Sequence, residues 1–206
     1  RYRTGDMENE LRLRLIGAHN ALNAMAALAV AREAGVDLDQ AAAALATLTP
    51  GDKRGQTISV GGRTILNDSY NSNPEALRSM IRTLAGLQGS RRILIAGEML
   101  ELGEPAVRLH AECGVAAAKA GLDLVVGVRG NAQHLAAAAC NAGSAALFLP
   151  DAEAAGKWMA EHLRAGDVAL VKGSRGVRLE RAVEMATAAF EADGQGRQCG
   201  GWHAAE

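Results

Sequence analysis

From Arg63 onward the chain alternates between short apolar runs and longer helical stretches. Arg63–Asp68 leads into a helix opening at Pro74, Arg92–Ala96 into one over Pro105–Ala120, and Asp123–Val128 into Asn131–Ala142. Ala145–Leu149 is followed by Ala152–Arg164, and Val168–Lys172 by a helix running to about Ala192. A strand that returns parallel to its neighbour needs a long crossover, and an amphipathic helix is the usual one. Five successive β-α units with apolar strands of four to six residues therefore predict a parallel sheet covered on both faces. The fold class is doubly wound α/β from about Thr57 to Ala192.

Local signals mark the joints. Gly61-Gly62 between Thr57–Val60 and Arg63–Asn67 is a two-residue hairpin signature, since both turn positions favour φ > 0, and it puts an antiparallel strand at the sheet edge. Asn73 and Asp151 stand at N-caps, Pro74 at a first helical position, and Gly121, Gly143 and Gly166 at helix C-termini. Upstream, Leu11, Leu13 and Leu15 alternate with Arg12 and Arg14, which predicts a half-buried strand ended by Gly17. Asn20 then caps a helix to about Ala34 with Gly35 as its left-handed stop. Asp37 and Gln40 open a second helix that finishes before Pro50. Gly51–Gly55 reads as a linker, and Asp193–Glu206, glycine-rich and polar, as a mobile tail.

Composition narrows the function. Twenty-two Lys and Arg against 23 Asp and Glu leave a net charge of −1, without the positive surface that binds nucleic acid. Aromatics at 3% supply no base-stacking platform either. No run of eighteen apolar residues predicts a membrane span, and Arg1–Arg14 has no signal-peptide core. Cys113, Cys140 and Cys199 are far apart with no CxxC. The first two fall in alanine-rich helical pattern and read as buried free thiols, which fits a reducing cytoplasm.

In an open α/β sheet, ligands lie beyond the carboxyl ends of the strands. Those ends carry Asn67–Pro74, Gly97–Gly103, Arg129-Gly130-Asn131, Pro150-Asp151 and Lys172–Gly176. The last has the clearest local logic. Its glycines let a ligand approach the backbone, Ser174 and the following helix N-terminus offer donors, and Lys172 and Arg175 suit a carboxylate or phosphate. A plain glycine turn with two solvated bases is the competing reading. The chain contains no GxxxxGK[ST], no GxGxxG and no HExxH. His110, His134 and His162 lie in helical pattern with no second ligand type nearby and read as packed or surface histidines.

Four motifs, in order, resemble the Mur ligase family. Gly17-Ala18-His19-Asn20-Ala21-Leu22-Asn23-Ala24 is similar to its G-x-H-N-x-x-N-A helix entry. Asn67-Asp68-Ser69-Tyr70-Asn71-Ser72-Asn73-Pro74 resembles the D-S-Y-N-A-N-P of the subgroup that adds D-alanyl-D-alanine. Gly97-Glu98-Met99-Leu100-Glu101-Leu102-Gly103 is similar to that subgroup's G-D-M-x-E-L-G, and Lys172-Gly173-Ser174-Arg175 to its K-G-S-R. The resemblance spans Leu15 to about Ala192 and implies a Rossmann-like, mostly parallel sheet of about six strands over residues 56–192. Residues 1–55 would be the helical end of a central ATPase domain, and 193–206 the tail. It further implies ATP-dependent amide formation through an acyl phosphate, with UDP-N-acetylmuramoyl-tripeptide and D-alanyl-D-alanine as partners. ATP and Mg2+ would be the cofactors. The domain for the UDP-sugar, the P-loop and the metal ligands of the family would stand upstream, so that this chain alone is expected to be inactive.

Carried over position by position, the resemblance implies ATP contacts from His19, Asn20, Asn23, Arg54, Asp68, Tyr70 and Asn71. Of these, His19, Asn20 and Asn23 would face adenine, and Asp68 a ribose hydroxyl. It implies dipeptide contacts from Asn73, Met99, Lys172, Ser174 and Arg175. Lys53 stands where the family has glycine, and Glu98 where it has aspartate. Met99 occupies the turn in which D-glutamate-adding relatives carry lysine, and the D-N-P-R of the diaminopimelate-adding relatives is absent; both favour D-alanyl-D-alanine. The alternatives are another ligase of the superfamily, such as a folylpolyglutamate synthase-like enzyme, and a ligand-binding module that has lost catalysis.

Overall fold

The computed structural model describes residues 1–4 and 7–198, in two compact units, Arg1–Gly51 and Asp52 onward. In the first, β1 (Tyr2–Thr4) and β2 (Met7–Asn9) form an antiparallel ribbon, followed by α1 (Ala18–Glu33) and α2 (Leu38–Thr47). Gly35, at φ +75°, ends α1, and the Asp37 carboxylate accepts from Asp39 N and Gln40 N at 3.1 and 3.0 Å to open α2.

Two expectations fail in this unit. Leu11, Leu13 and Leu15 are half-buried and Arg12 and Arg14 exposed, as the alternation requires, yet the segment is not a strand. A period of two sets which side chains turn inward, but a strand also needs a neighbouring edge for its N–H and C=O groups, and no described strand pairs with it. Asn20 is not the cap of α1. Gly17 takes that place at φ +100°, and Asn20 N already donates to Gly17 O at 3.0 Å inside the first turn.

In the second unit β3 (Gln56–Val60) and β4 (Arg63–Asp68) form the hairpin across Gly61 and Gly62, at φ +53° and +74°. The alternation then runs α3 (Pro74–Ala85), β5 (Arg91–Gly97), α4 (Ala106–Lys119), β6 (Leu124–Val128), α5 (Ala132–Asn141), β7 (Ala145–Leu149) and α6 (Ala152–His162). It closes with β8 (Asp167–Lys172), a single 3-10 turn at Arg175–Val177, and α7 (Glu180–Gln198). The six strands are ordered β3-β4-β8-β5-β6-β7, all parallel except β3. The last strand is thus inserted between β4 and β5, and all six of its residues are buried. On one face Ile65, Ile93, Ile95, Val126, Val128, Ala169 and Val171 pack with residues of α6 and α7, including Met159, Val183 and Phe190. The alternate residues of the same strands point to the opposite face, which carries α3 against β5 and β8 and α4 against α5.

Charge fixes the register of β8 at both ends. Asp167, 2% exposed, accepts from Arg91 Nε of β5 at 2.9 Å and from Arg164 N at 2.7 Å. Lys172 at the other end donates to Asp68 of β4. Both pairs are between residues directly opposite in the ladder, so a slip by one residue would strand two buried charges.

Three smaller expectations are also corrected. α7 continues past Ala192 to Gln198, because the polar run after Asp193 still forms helix; residues 199–206, with Cys199, lie outside the described residues. Gly166 does not end α6. At φ +90° it sits in the turn into β8, donating to Gly62 O and accepting from Ser90 N, both at 2.8 Å. Cys113 is buried, and desolvation pushes its thiol up to about 11, but Cys140 is exposed. The buried side of α5 is Ala132, Leu135, Ala136 and Ala139, and residue 140 falls one step off it.

Helix packing on the second face supplies a test. A Cβ on Gly114 of α4 would collide with the Leu135 carbonyl of α5 and lie 3.0 Å from Ala139 N, whereas one on Gly86 meets nothing closer than 3.6 Å. Gly114→Ala is expected to lower the unfolding free energy by about 1–3 kcal/mol through overpacking. Gly86→Ala, at φ −83°, is expected to be neutral or to raise it by about 0.4–1 kcal/mol by restricting the unfolded chain. Urea unfolding midpoints read both.

Candidate functional site

Every parallel strand sends its carboxyl end to the same edge, so the loops after β4, β5, β6 and β8 meet there. The organising side chain is Lys172. Its Nζ donates to Asp68 Oδ2 at 2.7 Å and to Asn71 O at 2.8 Å, with side-chain exposures of 5% for Lys172 and 16% for Asp68. An ammonium this buried needs an anion and further acceptors, and the β4 loop supplies both.

Ser174 extends the same link. Its Oγ accepts from Leu100 N at 2.9 Å and donates to Ser72 O at 3.4 Å, while Ser174 N donates to Glu98 O at 3.2 Å. One hydroxyl thereby ties the loops after β4, β5 and β8 together. The β5 loop is also held by its own side chains. Glu98 accepts from Asn131 N and Nδ2 at 3.0 and 3.2 Å and lies 3.9 Å from Arg129 Nε. Arg129 in turn donates to Gly176 O at 2.7 Å.

These links frame a cleft of about 260 Å³ lined by Tyr70, Asn71, Leu100, Glu101, Ser174, Arg175 and Gly176. Beside it, the Arg54 guanidinium lies 3.9 Å from the centroid of the Tyr70 ring and that of Arg175 5.6 Å from it. Neither arginine has a carboxylate partner among the described residues. Two unneutralised guanidiniums on one aromatic ring make the cleft mouth cationic and suited to anions. Arg54 follows Lys53, whose φ of +58° is the left-handed conformation that a glycine would adopt freely.

Arg54, Asp68, Tyr70, Asn71, Lys172, Ser174 and Arg175 are therefore brought together. Others are not. Met99 is 1% exposed, its side chain turned into the core, so it cannot line a pocket for a substrate side chain. Asn73 is spent on α3, its Oδ1 accepting from Ala76 N at 2.8 Å. His19, Asn20 and Asn23 lie on the first turns of α1 in the other unit, where Asn20 donates to Ile16 O at 2.8 Å and accepts from Asn23 Nδ2 at 3.4 Å. The turn after Lys172 offers no helix N-terminus. Val177 N and Arg178 N are taken by Ser174 O and Arg175 O, and α7 begins only at Glu180 after a left-handed Arg178. Leu100 and Glu101, one and two places beyond Met99, are the cleft residues that sequence reading passed over; the left-handed φ of +63° at Glu101 turns the chain there.

Comparison with known proteins bears on the family and the fold. The family model described as Mur ligase, glutamate ligase domain, matches residues 53–175. The UDP-N-acetylmuramoyl-tripeptide–D-alanyl-D-alanine ligase of Mycobacterium bovis is 32% identical over 198 residues, which cover 84% of this chain and 39% of that protein. The ligase of the same name from Bacillus subtilis is 31% identical over 182 residues, covering 86% and 40%. The chain thus spans about two-fifths of the length of these relatives. Among solved structures, the MurF ligase of Thermotoga maritima in complex with ADP superimposes with a TM-score of 0.72 at 30% identity, over 87% of this chain and 40% of that one. MurF from Acinetobacter baumannii gives 0.76 at 26%, over 86% and 39%.

The hydrogen-bond pattern predicts opposite outcomes for similar substitutions. Lys172→Met, which leaves the Asp68 carboxylate without its cation, is expected to cost about 2–4 kcal/mol of stability. Ser174→Ala should cost about 1–2 kcal/mol, because it strands Leu100 N. The Oγ of Ser72 is buried with no hydrogen-bond partner among the described residues, so Ser72→Ala should be neutral or stabilising. Chemical unfolding of the three variants checks the order.

Proposed function

The chain belongs to the Mur ligase family, and from that premise we propose that it is the C-terminal part of a UDP-N-acetylmuramoyl-tripeptide–D-alanyl-D-alanine ligase. The proposed reaction joins the carboxylate of the tripeptide to the amine of the dipeptide at the expense of ATP. What carries the reading is the Tyr70 ring with Arg54 and Arg175 both against it, at the mouth of a cleft built from the family's three loop motifs.

Such a reaction requires that phosphate charge be neutralised and that amine and carboxylate be held in line. Arg54 is assigned to the nucleotide side and Arg175 to the free carboxylate of the dipeptide, with Tyr70 and Asn71 between them. Lys172 holds Asp68 Oδ2, which leaves Oδ1 to accept from a ribose hydroxyl. Lys172 and Ser174, with their polar atoms turned to protein partners, act by holding the loops. This revises the expectation that they touch the dipeptide themselves. The donor set fits a nucleotide, since guanidiniums and a carboxylate match phosphate and ribose. His19, Asn20 and Asn23 are assigned to adenine on the resemblance alone. The T. maritima relative, solved with ADP, is in keeping with a nucleotide in this family.

Magnesium would neutralise phosphate charge when bound. Its ligands are assigned to the upstream domain on the resemblance alone. The P-loop is assigned there too, because none of the 206 residues forms one. The chain by itself is accordingly expected to hydrolyse no ATP.

In a complete ligase containing this chain, Arg175→Ala should raise the KM for D-alanyl-D-alanine by about 10- to 100-fold, the range for losing one charged hydrogen bond. The KM for ATP should move less than about twofold in that variant, and Arg54→Ala should show the reverse pattern. If Arg175→Ala weakens ATP and spares the dipeptide, the turn is a phosphate site and the assignment of the two arginines is wrong.

A further inference from the structure

The β5 loop is fixed by three consecutive amides. Glu98 N donates to Val128 O at 3.0 Å, Met99 N to His110 Nε2 at 2.9 Å, and Leu100 N to Ser174 Oγ at 2.9 Å. The acceptors come from three different elements: the end of β6, the first turns of α4 and the loop after β8. Only the middle acceptor can change its protonation state in the physiological range.

His110 is fully buried, and both ring nitrogens are committed. Nδ1 lies 2.7 Å from the Ala106 carbonyl, one turn back on α4, which can only accept. Nε2 faces the Met99 N–H, which can only donate. The partners therefore dictate a neutral ring with its proton on Nδ1. A second proton would have to sit on Nε2, where it would point at the Met99 N–H. The amide and the charged ring cannot share that position.

We propose that His110 is a positioning residue that latches the Met99–Glu101 turn against the cleft in its neutral form and releases it on protonation. The role in substrate binding rests on the ligase reading, because Leu100 and Glu101 are the cleft residues that the latch holds. Burial is the main influence on the ring and lowers its affinity for a proton. The Ala106 carbonyl and the Glu98 carboxylate of the β5 loop oppose that, and His134 of α5 adds to it when charged. The Arg78–Glu112 pair between α3 and α4 acts on Cys113 instead. With the folded value below the ordinary 6.5, the unfolded chain takes up the proton first. The contribution of the latch is thus complete above about pH 6.5 and is lost as the pH falls below that value.

The test begins without substrate. In the 15N-labelled chain at pH 7.5, the His110 ring should show the Nδ1-protonated neutral tautomer, and the Met99 amide should be protected from exchange. His110→Phe removes the acceptor. It should lower Met99 protection by about tenfold or more, with the core amides of Leu94 and Leu170 as reference. His110→Gln restores an acceptor and should recover protection to within about threefold. Between pH 7.5 and 5, Met99 protection should fall in the wild type and stay flat in the Gln variant. In the complete ligase, the dipeptide KM should rise at acid pH for the wild type and not for the Gln variant, at similar kcat. An Nε2-protonated or charged ring at pH 7.5 overturns the latch, as does unchanged Met99 protection in the Phe variant. Matching pH profiles in the wild type and Gln variant also overturn it. Since exchange and tautomer need no substrate, they decide the latch even if the enzyme uses a different amine.

Discussion

β8 is entirely buried and carries an unlike charge at each end, and both charges must be met by neighbouring strands. Asp167 finds Arg91 on β5, and Lys172 finds Asp68 on β4, each directly across the ladder. Such pairs contribute little net stability over an apolar alternative, but they penalise every other register heavily. The last strand is therefore fixed between the first and second β-α units, and the rest of the site follows. With Lys172 set against the β4 loop, Ser174 falls where it can reach the backbone on both sides, and the cleft forms from three loops distant in sequence.

The strain in the backbone lies in the same region. Among the described residues, four other than glycine have φ near +60°: Lys53, Glu101, Arg129 and Arg178. Lys53 precedes β3, and the others follow β5, β6 and β8, so all four lie in loops rather than in the sheet. Each left-handed position costs about 1–2 kcal/mol for a residue with a Cβ. Surrounding contacts hold three of them in place: Tyr70 N donates to Lys53 O, Arg129 ties to Gly176 and Glu98, and Arg178 N closes the 3-10 turn. The strain is thus retained at loop ends and clamped by polar contacts rather than relaxed.

The alternation of strands and helices was legible because each element announces itself locally: apolar runs, capping side chains at Asn73, Asp151 and Asp37, and the Gly61-Gly62 turn. The chemistry of the Lys172–Gly176 turn is legible too, whereas Tyr70 and Asn71 stand out only through the family resemblance; with Arg175 they line one cleft. What could not be read was the direction of side chains and the identity of distant partners. Lys172 looks like a free cation until Asp68, 104 positions away, takes it up. Met99 looks like a pocket wall until its amide is found bound to a buried histidine on the next helix. Leu11–Leu15 has the alternation of a strand and lacks only a neighbour to pair with among the described residues, a tertiary fact that no local pattern contains.

The central claim is that the three motif loops after β4, β5 and β8 act as one ligand surface. Amide chemical-shift mapping of this chain with D-alanyl-D-alanine in the presence of ADP addresses it most directly. The account predicts that the perturbed amides group at Arg54, Tyr70–Asn71, Leu100–Glu101 and Ser174–Gly176, with those of β7 and α6 unmoved. Perturbations centred on β7 and α6, or none at saturating ligand, would contradict it.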